Sequence, residues 1–180
     1  MNGINGPMRR ILVLGPPGSG KSTLARRLGE RLDISVIHLD THFWEPGWEM
    51  PPEEEWIETQ RELMRSSDTW ILDGNYDSTL EVRLPAADTV VLLSMPPWRS
   101  VYRILTRWLA HRGEVREDMA AGCLERFDLE FVRYAWSFRR NERPEIKAKI
   151  DRYGGDLDPI ELDATDPSAI DRFLDAVEPG

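Results

Sequence analysis

The sequence of 180 residues contains a single cysteine, Cys123, and only three histidines. One cysteine cannot form a disulfide within the chain, and no cysteine cluster is present that could hold a structural zinc ion. No hydrophobic run approaches the roughly 18 residues that a membrane-spanning helix needs. The N-terminal segment MNGINGPMRR lacks the apolar stretch of a secretory signal, and we expect residues 1–8 to be flexible. These absences predict a cytoplasmic protein that is not bound to a membrane.

Positive charge is also scarce in this chain. The 23 lysines and arginines are outnumbered by 32 aspartates and glutamates, which gives a net charge of −9. Binding to nucleic acid depends strongly on a basic surface that neutralises phosphates, so the overall charge argues against nucleic acid as a partner. The exception is residues 99–143, which hold ten arginines, seven acidic residues and no lysine.

Short apolar runs alternate with amphipathic segments along the chain. The apolar runs predict five strands, at residues 9–14, 35–39, 70–73, 89–93 and 157–162. Helical spacing predicts helices at about 22–29, 52–65, 98–110, 124–140 and 167–177. This alternation is typical of a doubly wound α/β fold with a five-stranded, mostly parallel sheet. Ligands of such sheets bind at the carboxyl ends of the strands, where Gly15, Asp40 and Asp73 are therefore expected to lie together.

The first predicted strand leads into the segment GPPGSGKS, which matches the P-loop pattern G-x-x-x-x-G-K-[ST] in full. Glycines let backbone N–H groups converge on phosphate oxygens, and the helix that follows directs its positive end to the same place. Lys21 is expected to contact the β- and γ-phosphates, and the Ser22 hydroxyl to bind Mg²⁺. A strand before the motif and a helix after it favour a P-loop over a chance glycine-rich turn. The residues expected to hold ATP here are Gly15, Pro16, Pro17, Gly18, Ser19, Gly20, Lys21, Ser22 and Thr23.

With this motif, the chain resembles the P-loop kinases of the adenylate kinase and nucleoside kinase group from Arg9 to about Val177. Within that group it is similar to bacterial adenylate kinase-like, FlaR-related "DNA topology modulation" proteins, in the segments GPPGSGKST, HLDTHFWEPGW and WILDGNY and in the arginine-rich RG…GC…RFDLEF run. The resemblance implies an ATP- and Mg²⁺-dependent phosphotransferase with a small acceptor. It also leaves open a nucleotide-dependent regulatory ATPase linked to DNA topology. It implies one domain over residues 1–180, with an acceptor-binding insert at about 41–69 and a lid at about 99–143.

Asp73 ends the third predicted strand, as the Walker B carboxylate of P-loop proteins does. It is expected to hold Mg²⁺ opposite Ser22, although an aspartate before a glycine is also typical of an ordinary turn. Adenylate kinases have Asp-Gly-Phe/Tyr-Pro-Arg at the matching place, whereas this chain has Asp73-Gly74-Asn75-Tyr76 with no arginine directly behind it. Arg83 is then the candidate for contact with an acceptor phosphate, and Tyr76 is a further candidate for binding the acceptor.

Asp40 follows the second predicted strand, in a segment that resembles the Asp-x-Phe-Tyr segment of nucleoside and pantothenate kinases, where the carboxylate meets the acceptor hydroxyl. A hydroxyl acceptor needs a nearby proton acceptor, whereas an acceptor phosphate is already anionic. Asp40 is therefore either a catalytic and acceptor-binding residue or a turn residue. Trp44, in the same segment, either stacks on a flat acceptor or packs in the core.

The arginine-rich segment has the layout of a kinase lid, with two predicted helices on either side of a polar stretch. Arg103 and Arg107 are one helical turn apart and are expected to contact the ATP phosphates, and Arg112 and Arg116 lie in the polar stretch. Arginine suits this task because its planar guanidinium binds phosphate oxygens in pairs and keeps its charge. The alternative is that these arginines cover a solvated helix face. The predicted catalytic residues are Lys21, Asp40, Arg112 and Arg116.

Overall fold

The computed structural model describes residues 8–115 and 119–178. Five strands form one sheet in the order β2-β3-β1-β4-β5, and every neighbouring pair is parallel. The strands are β1 (Arg10–Leu14), β2 (Val36–His38), β3 (Trp70–Asp73), β4 (Thr89–Ser94) and β5 (Ile160–Asp163). The predicted doubly wound α/β fold is therefore confirmed, with a sheet that is parallel throughout. Because β1 lies at the centre, the loop that follows it sits in the middle of the rim.

Helices cover both faces of the sheet. Those in the described residues are α1 (Lys21–Leu32), α2 (Asp40–Phe43), α3 (Glu53–Arg65), α4 (Leu80–Arg83), α5 (Pro97–His111), α6 (Leu129–Ser137), α7 (Glu142–Tyr153) and α8 (Pro167–Ala176). Helices α1 and α8 pack on one face, and α3, α4 and α7 pack on the other. None of the helices in these ranges combines the length and hydropathy that a membrane span requires.

The central strand β1 is apolar at successive positions because both of its faces are buried. Side chains alternate between the two faces of a sheet, and both faces of this one are covered. Ile11 and Val13 point into the core shared with α1 and α8, whereas Leu12 and Leu14 point into the opposite core. All four side chains are completely buried. The phosphate loop therefore starts from a strand fixed on both sides.

The region after α5 differs from the sequence prediction in two places. The helix predicted from 124 begins only at Leu129, because the Asp128 carboxylate accepts hydrogen bonds from the backbone N–H groups of Glu130 and Phe131 and caps the helix there. Residues 124–128 are irregular. Helix α7 was not predicted at all. Its Pro144 occupies the first turn, where a missing N–H costs no helical hydrogen bond.

Candidate functional site

The loop at residues 15–20 joins β1 to α1 and is held closely against its neighbours. Gly15 has a φ of 146°, and a Cβ at this position would lie 2.8 Å from the Cβ of Leu93 on β4. Only glycine allows the backbone to pass so near that strand. On the other side, the Ser100 hydroxyl of α5 donates a hydrogen bond of 2.5 Å to the carbonyl of Pro17. The loop is thus fixed between β4 and α5.

A pocket of about 280 Å³ opens beside this loop, at the carboxyl ends of the central strands. Most of the predicted site residues line it: Pro17, Gly18, Gly20, Lys21, Ser22, Thr23, Asp40, Asp73, Arg103 and Arg107. The prediction missed four further lining residues, Arg26, His38, Gly74 and Phe131. Gly15, Pro16 and Ser19 are buried and do not line the pocket. The structure therefore brings the phosphate loop, two strand-ending carboxylates and two α5 arginines to one place.

Cationic side chains line the pocket from two helices. They are Lys21 and Arg26 of α1 and Arg103 and Arg107 of α5. The Lys21 ammonium donates hydrogen bonds to the carbonyls of Gly15 at 3.0 Å and Pro16 at 3.1 Å. Nη1 of Arg103 donates to the carbonyl of Gly18 at 3.2 Å. These contacts hold positive charge against the loop, where the N-terminus of α1 adds its own positive end.

Asp73 and Ser22 both line the pocket and offer oxygen atoms to a cation. Asp73 is only 5% exposed, and its Oδ2 lies 2.8 Å from Nδ1 of His38. Its Oδ1 is buried with no hydrogen-bond partner, an unfavourable state that a bound cation would relieve. Among the described residues, no three acidic, histidine or cysteine side chains form a metal site of their own. Mg²⁺ typically binds through one or two protein oxygens, phosphates and water, so these residues fit it.

Asp40 begins α2, where β2 ends, and Tyr76 fixes its carboxylate. The Tyr76 hydroxyl donates a hydrogen bond of 2.5 Å to Oδ1 of Asp40. The Tyr76 ring packs against the rings of Phe43 and Trp56, at centroid distances of 4.6 and 4.9 Å. Burial, and next the negative charge of Asp40, raise the pKa of Tyr76 well above its usual value, so the hydroxyl stays protonated and remains a donor. Asp40 and Tyr76, two separate candidates for binding the acceptor, are therefore linked by a hydrogen bond.

Arg83 takes a different position from the one expected. Its side chain is completely buried, and it is not among the residues that line the pocket. Nη1 donates to the carbonyl of Gly74 at 3.0 Å, and Nη2 donates to the carbonyls of Asn75 and of Tyr76, the latter at 3.0 Å. Burial lowers the pKa of Arg83 to about 10, which leaves the group charged at neutral pH. This placement corrects the expected contact with an acceptor phosphate, because the guanidinium binds the carbonyls of segment 74–76 instead.

Asn75 joins segment 74–76 to the phosphate loop. The sequence did not predict it as a site residue. Its Oδ1 accepts a hydrogen bond of 3.0 Å from the Gly15 N–H, and its Nδ2 donates one of 2.9 Å to the Gly15 carbonyl. Nδ2 also lies 3.4 Å from the hydroxyl of Tyr134 on α6. The signal in the sequence was the departure from the adenylate kinase pattern directly after Asp73-Gly74, where Asn75 supplies a side-chain amide that binds the loop backbone.

Trp44 lies outside the pocket lining, in a contact between the predicted insert and the predicted lid. Together with Trp48 it packs against buried side chains of residues 119–123. The Trp48 indole N–H donates a hydrogen bond of 3.1 Å to the carbonyl of Leu124, and the Arg126 guanidinium lies 5.2 Å from the Trp48 ring centroid. We call this the insert–lid contact. Of the two alternatives for Trp44, the structure places it in a small core and not against the pocket.

The predicted lid arginines differ in whether they line the pocket. Arg107 lines the pocket, and its Nε lies 3.3 Å from Oε1 of Glu125, which is 7% exposed. Arg112 follows the end of α5, is exposed and does not line the pocket. Arg116 lies outside the described residues. Phe131 of α6 reaches the pocket, although no feature of the sequence distinguished it from the other aromatic residues of that helix.

Curated proteins match short parts of the chain. It is 44% identical over 46 residues to "Threonine synthase-like 1" of Mus musculus, a match that covers 26% of this chain and 6% of that protein. It is 29% identical over 87 residues to "Adenylate kinase 8" of Xenopus laevis, covering 39% and 18%. It is 57% identical over 30 residues to "Adenylate kinase" of Pseudarthrobacter chlorophenolicus, covering 17% and 16%. The chain thus spans 18% or less of the length of these relatives.

Solved structures match the chain as well, and one of them covers nearly its whole length. The crystal structure of an unliganded sugar kinase from Janibacter sp. HTCC2649 superposes with a TM-score of 0.51 and 19% identity over 94% of each chain. At this identity the likeness shows the fold alone, which is that of a P-loop kinase. The sequence model of the AAA domain family matches residues 11–118, more than half of the chain. The chain therefore belongs to the AAA domain family.

Proposed function

We propose that this protein is an ATP-dependent phosphotransferase, a P-loop kinase that moves the γ-phosphoryl group of ATP to a small acceptor. The observation that carries the proposal is one pocket lined by the phosphate loop, by the α5 arginines and by two carboxylates. Phosphoryl transfer needs mainly positioning and charge neutralisation, and these residues supply both. The adenylate kinase matches and the sugar kinase fold support the same reaction class.

The donor half of the pocket would work as follows. The backbone N–H groups of the loop and Lys21 bind the β- and γ-phosphates, and Arg103 and Arg107 neutralise charge that develops during transfer. Ser22 and Asp73 would hold Mg²⁺, which when bound would neutralise charge on the phosphate oxygens. His38, whose Nδ1 lies 2.8 Å from Oδ2 of Asp73, fixes the carboxylate and leaves Oδ1 as the oxygen that would bind the cation.

We further propose one domain over residues 1–180, with the acceptor insert at about 41–69 and the lid at about 99–143. The insert–lid contact supports the assignment of both segments to one domain, because it joins them directly through Trp48 and residues 119–124. A closed lid excludes water from ATP and so limits hydrolysis. Contact of Arg112 and Arg116 with the phosphates stays a prediction.

A lysine pair tests the donor site. Lys21→Ala should lower acceptor-dependent ADP formation by about 10²–10³-fold, the usual effect of removing one group that stabilises transition-state charge. The matched control is Lys147→Ala, on α7, whose side chain is 41% exposed and pairs with Glu161. Isothermal titration calorimetry should show weaker binding of Mg·ATP to Lys21→Ala and unchanged binding to Lys147→Ala. Equal turnover and affinity in the two variants would contradict the proposed donor site.

A nucleotide-dependent regulator linked to DNA topology, as in the FlaR-related resemblance, is the alternative. No observation on residues 8–115 and 119–178 favours it, and the net charge of −9 opposes contact with DNA. Retention of DNA at physiological salt would support this alternative.

A further inference from the structure

We infer that a second pocket, at the carboxyl ends of β4 and β5, binds a small organic carboxylate. This pocket has a volume of about 270 Å³, close to the lower end of the range for small-molecule sites. Among the described residues, its lining has no member in common with the pocket beside the phosphate loop, which we call the first pocket. The inference goes beyond the proposed function and does not depend on it.

The second pocket lies on the face of the sheet that α7 covers. Leu92 of β4 points into the core shared with α7, and Ser94, two residues further along, points the same way. Ser94 lines the second pocket together with Asp163, at the end of β5. The backbone of the phosphate loop separates the two pockets, because Pro16 lines the second and Pro17 lines the first. A ligand of the second pocket therefore does not occupy the place of the ATP phosphates.

Two arginines supply the positive charge of the second pocket. Arg139 is exposed just after α6, and no group in residues 8–115 and 119–178 forms an ion pair or hydrogen bond with its guanidinium. Arg143, on α7, donates from Nη2 to Oε2 of Glu161 at 2.5 Å. Its Nε is buried without a hydrogen-bond partner, and its Nη1 has no acceptor in the described part of the chain. Both guanidinium groups thus keep donors for an anion.

The charge of the lining favours an anion with a single negative charge. Asp163 lies in the same lining, and hydrogen bonds from Thr165, with a smaller effect of the Arg99 charge, lower the pKa of its carboxyl group. Asp163 is therefore ionised at neutral pH. Two guanidinium groups and one carboxylate leave one positive charge in excess in the lining. A carboxylate ligand balances this excess, whereas a phosphate dianion would bring a second negative charge close to Asp163.

The rest of the lining favours an organic anion over an inorganic one. Four lining residues are apolar: Pro16, Met95, Pro96 and Phe138. Small-molecule sites typically combine such an apolar wall with a few polar groups that fix the orientation of the ligand. The Ser94 hydroxyl donates to the carbonyl of Leu162 at 3.3 Å, so its oxygen can also accept a hydrogen bond from a ligand. The second pocket therefore suits a carboxylate group carried on a compact apolar body.

Four probes test this ligand class in titration calorimetry with the full chain. Benzoate carries a carboxylate on an apolar ring, benzamide has the same shape without the charge, acetate lacks the ring, and inorganic phosphate is the competing kind of anion. We expect benzoate to bind at least about tenfold more tightly than each of the others, because it alone matches both halves of the lining. Absence of benzoate binding, or equal or tighter binding of any other probe, would overturn the inference.

A pair of neighbouring arginines maps the binding to the second pocket. Arg139→Gln removes one cationic group and should weaken benzoate binding by about tenfold, the effect of losing one hydrogen bond to a charged group. The matched control is Arg140→Gln, because Arg140 is also exposed but does not line the pocket. Its affinity for benzoate should equal that of the wild type. Wild-type affinity in Arg139→Gln, or the same loss in both variants, would overturn the assignment of the site.

A competition measurement separates the second pocket from the ATP site. The benzoate titration is repeated with Mg²⁺ and a saturating non-hydrolysable analogue of ATP. We expect benzoate to bind still, since the phosphate-loop backbone lies between the two pockets. Complete loss of benzoate binding would place the probe in the first pocket and overturn the inference. The proposed phosphotransfer is measured without benzoate, so it stands or falls independently of these results.

Discussion

Asn75 offers a sharp test of how the phosphate loop is held. Its side-chain amide makes two hydrogen bonds to the buried backbone of Gly15, at 3.0 and 2.9 Å. Each such bond contributes about 0.5–1.5 kcal/mol, and the buried Gly15 N–H left unpaired costs about 1–3 kcal/mol, whereas the Gly15 carbonyl still accepts from Lys21. Asn75→Leu keeps the branching at Cγ and loses both bonds. We therefore expect it to lower the free energy of unfolding by about 2–3 kcal/mol.

A second substitution at this position separates hydrogen bonding from packing. Asn75→Asp keeps an acceptor for the Gly15 N–H, but its other oxygen faces the Gly15 carbonyl and replaces an attraction by a repulsion. We expect it to be at least as destabilising as Asn75→Leu. Urea unfolding gives the free energies, and titration calorimetry should show weaker Mg·ATP binding in both variants, because the loop is less well fixed.

The control for both variants is Asn141→Leu, since Asn141 is exposed and its side chain makes no capping hydrogen bond at the start of α7. Ordinary surface substitutions change the free energy of unfolding by less than about 0.5 kcal/mol. A change that small for Asn75→Leu would refute the assigned role of Asn75. Wild-type affinity for Mg·ATP in both Asn75 variants would refute the link to the phosphate loop.

Three other perturbations have defined outcomes. Arg83→Met should lower the free energy of unfolding by about 3–5 kcal/mol in urea titrations, because three carbonyls lose a buried charged donor; a change below about 1 kcal/mol would contradict this. Trp48→Ala should speed tryptic cleavage after Arg126, because the insert–lid contact is lost; cleavage at the wild-type rate would show that this contact does not hold the segment. Partial burial, and next the charge of Asp77, raise the pKa of Glu142 in the folded protein, so protonation favours folding and this contribution is lost as pH rises through that pKa. Glu142→Gln should therefore melt at a higher temperature than the wild type at pH 7 and at an equal one below the usual carboxyl range; a lower melting temperature at pH 7 would reverse the sign.

The fold and the donor half of the site are encoded locally, which is why the sequence predicts them. A P-loop is one continuous segment, and its strand and helix carry their own periodicity. Asp40 and Asp73 could be placed because parallel strands end at one rim. Arg103 and Arg107 could be placed because helical spacing puts them on one face, although only the structure shows which way that face points.

The remaining features depend on contacts between distant segments. Arg83 carries the right charge for an acceptor phosphate, but its neighbours in the fold are carbonyls of residues 74–76, which local sequence does not show. Trp44 is aromatic whether it stacks on an acceptor or packs against residues 119–123. Helix α7 was not predicted, because its sequence is only weakly amphipathic and contains Pro144. Packing against the rest of the fold buries its Ile146 and Ile150.

The central claim is that this pocket passes the γ-phosphoryl group to an acceptor and not to water. The most direct measurement follows [γ-³²P]ATP with a pool of candidate acceptors (nucleosides, nucleoside monophosphates, hexoses and polyols) and with buffer alone, and divides the label between phosphorylated acceptor and inorganic phosphate. We predict that ADP forms much faster with the pool and that most of the label is found in the acceptor. Equal ADP formation in both samples, with the label in inorganic phosphate, would identify an ATPase and contradict the claim.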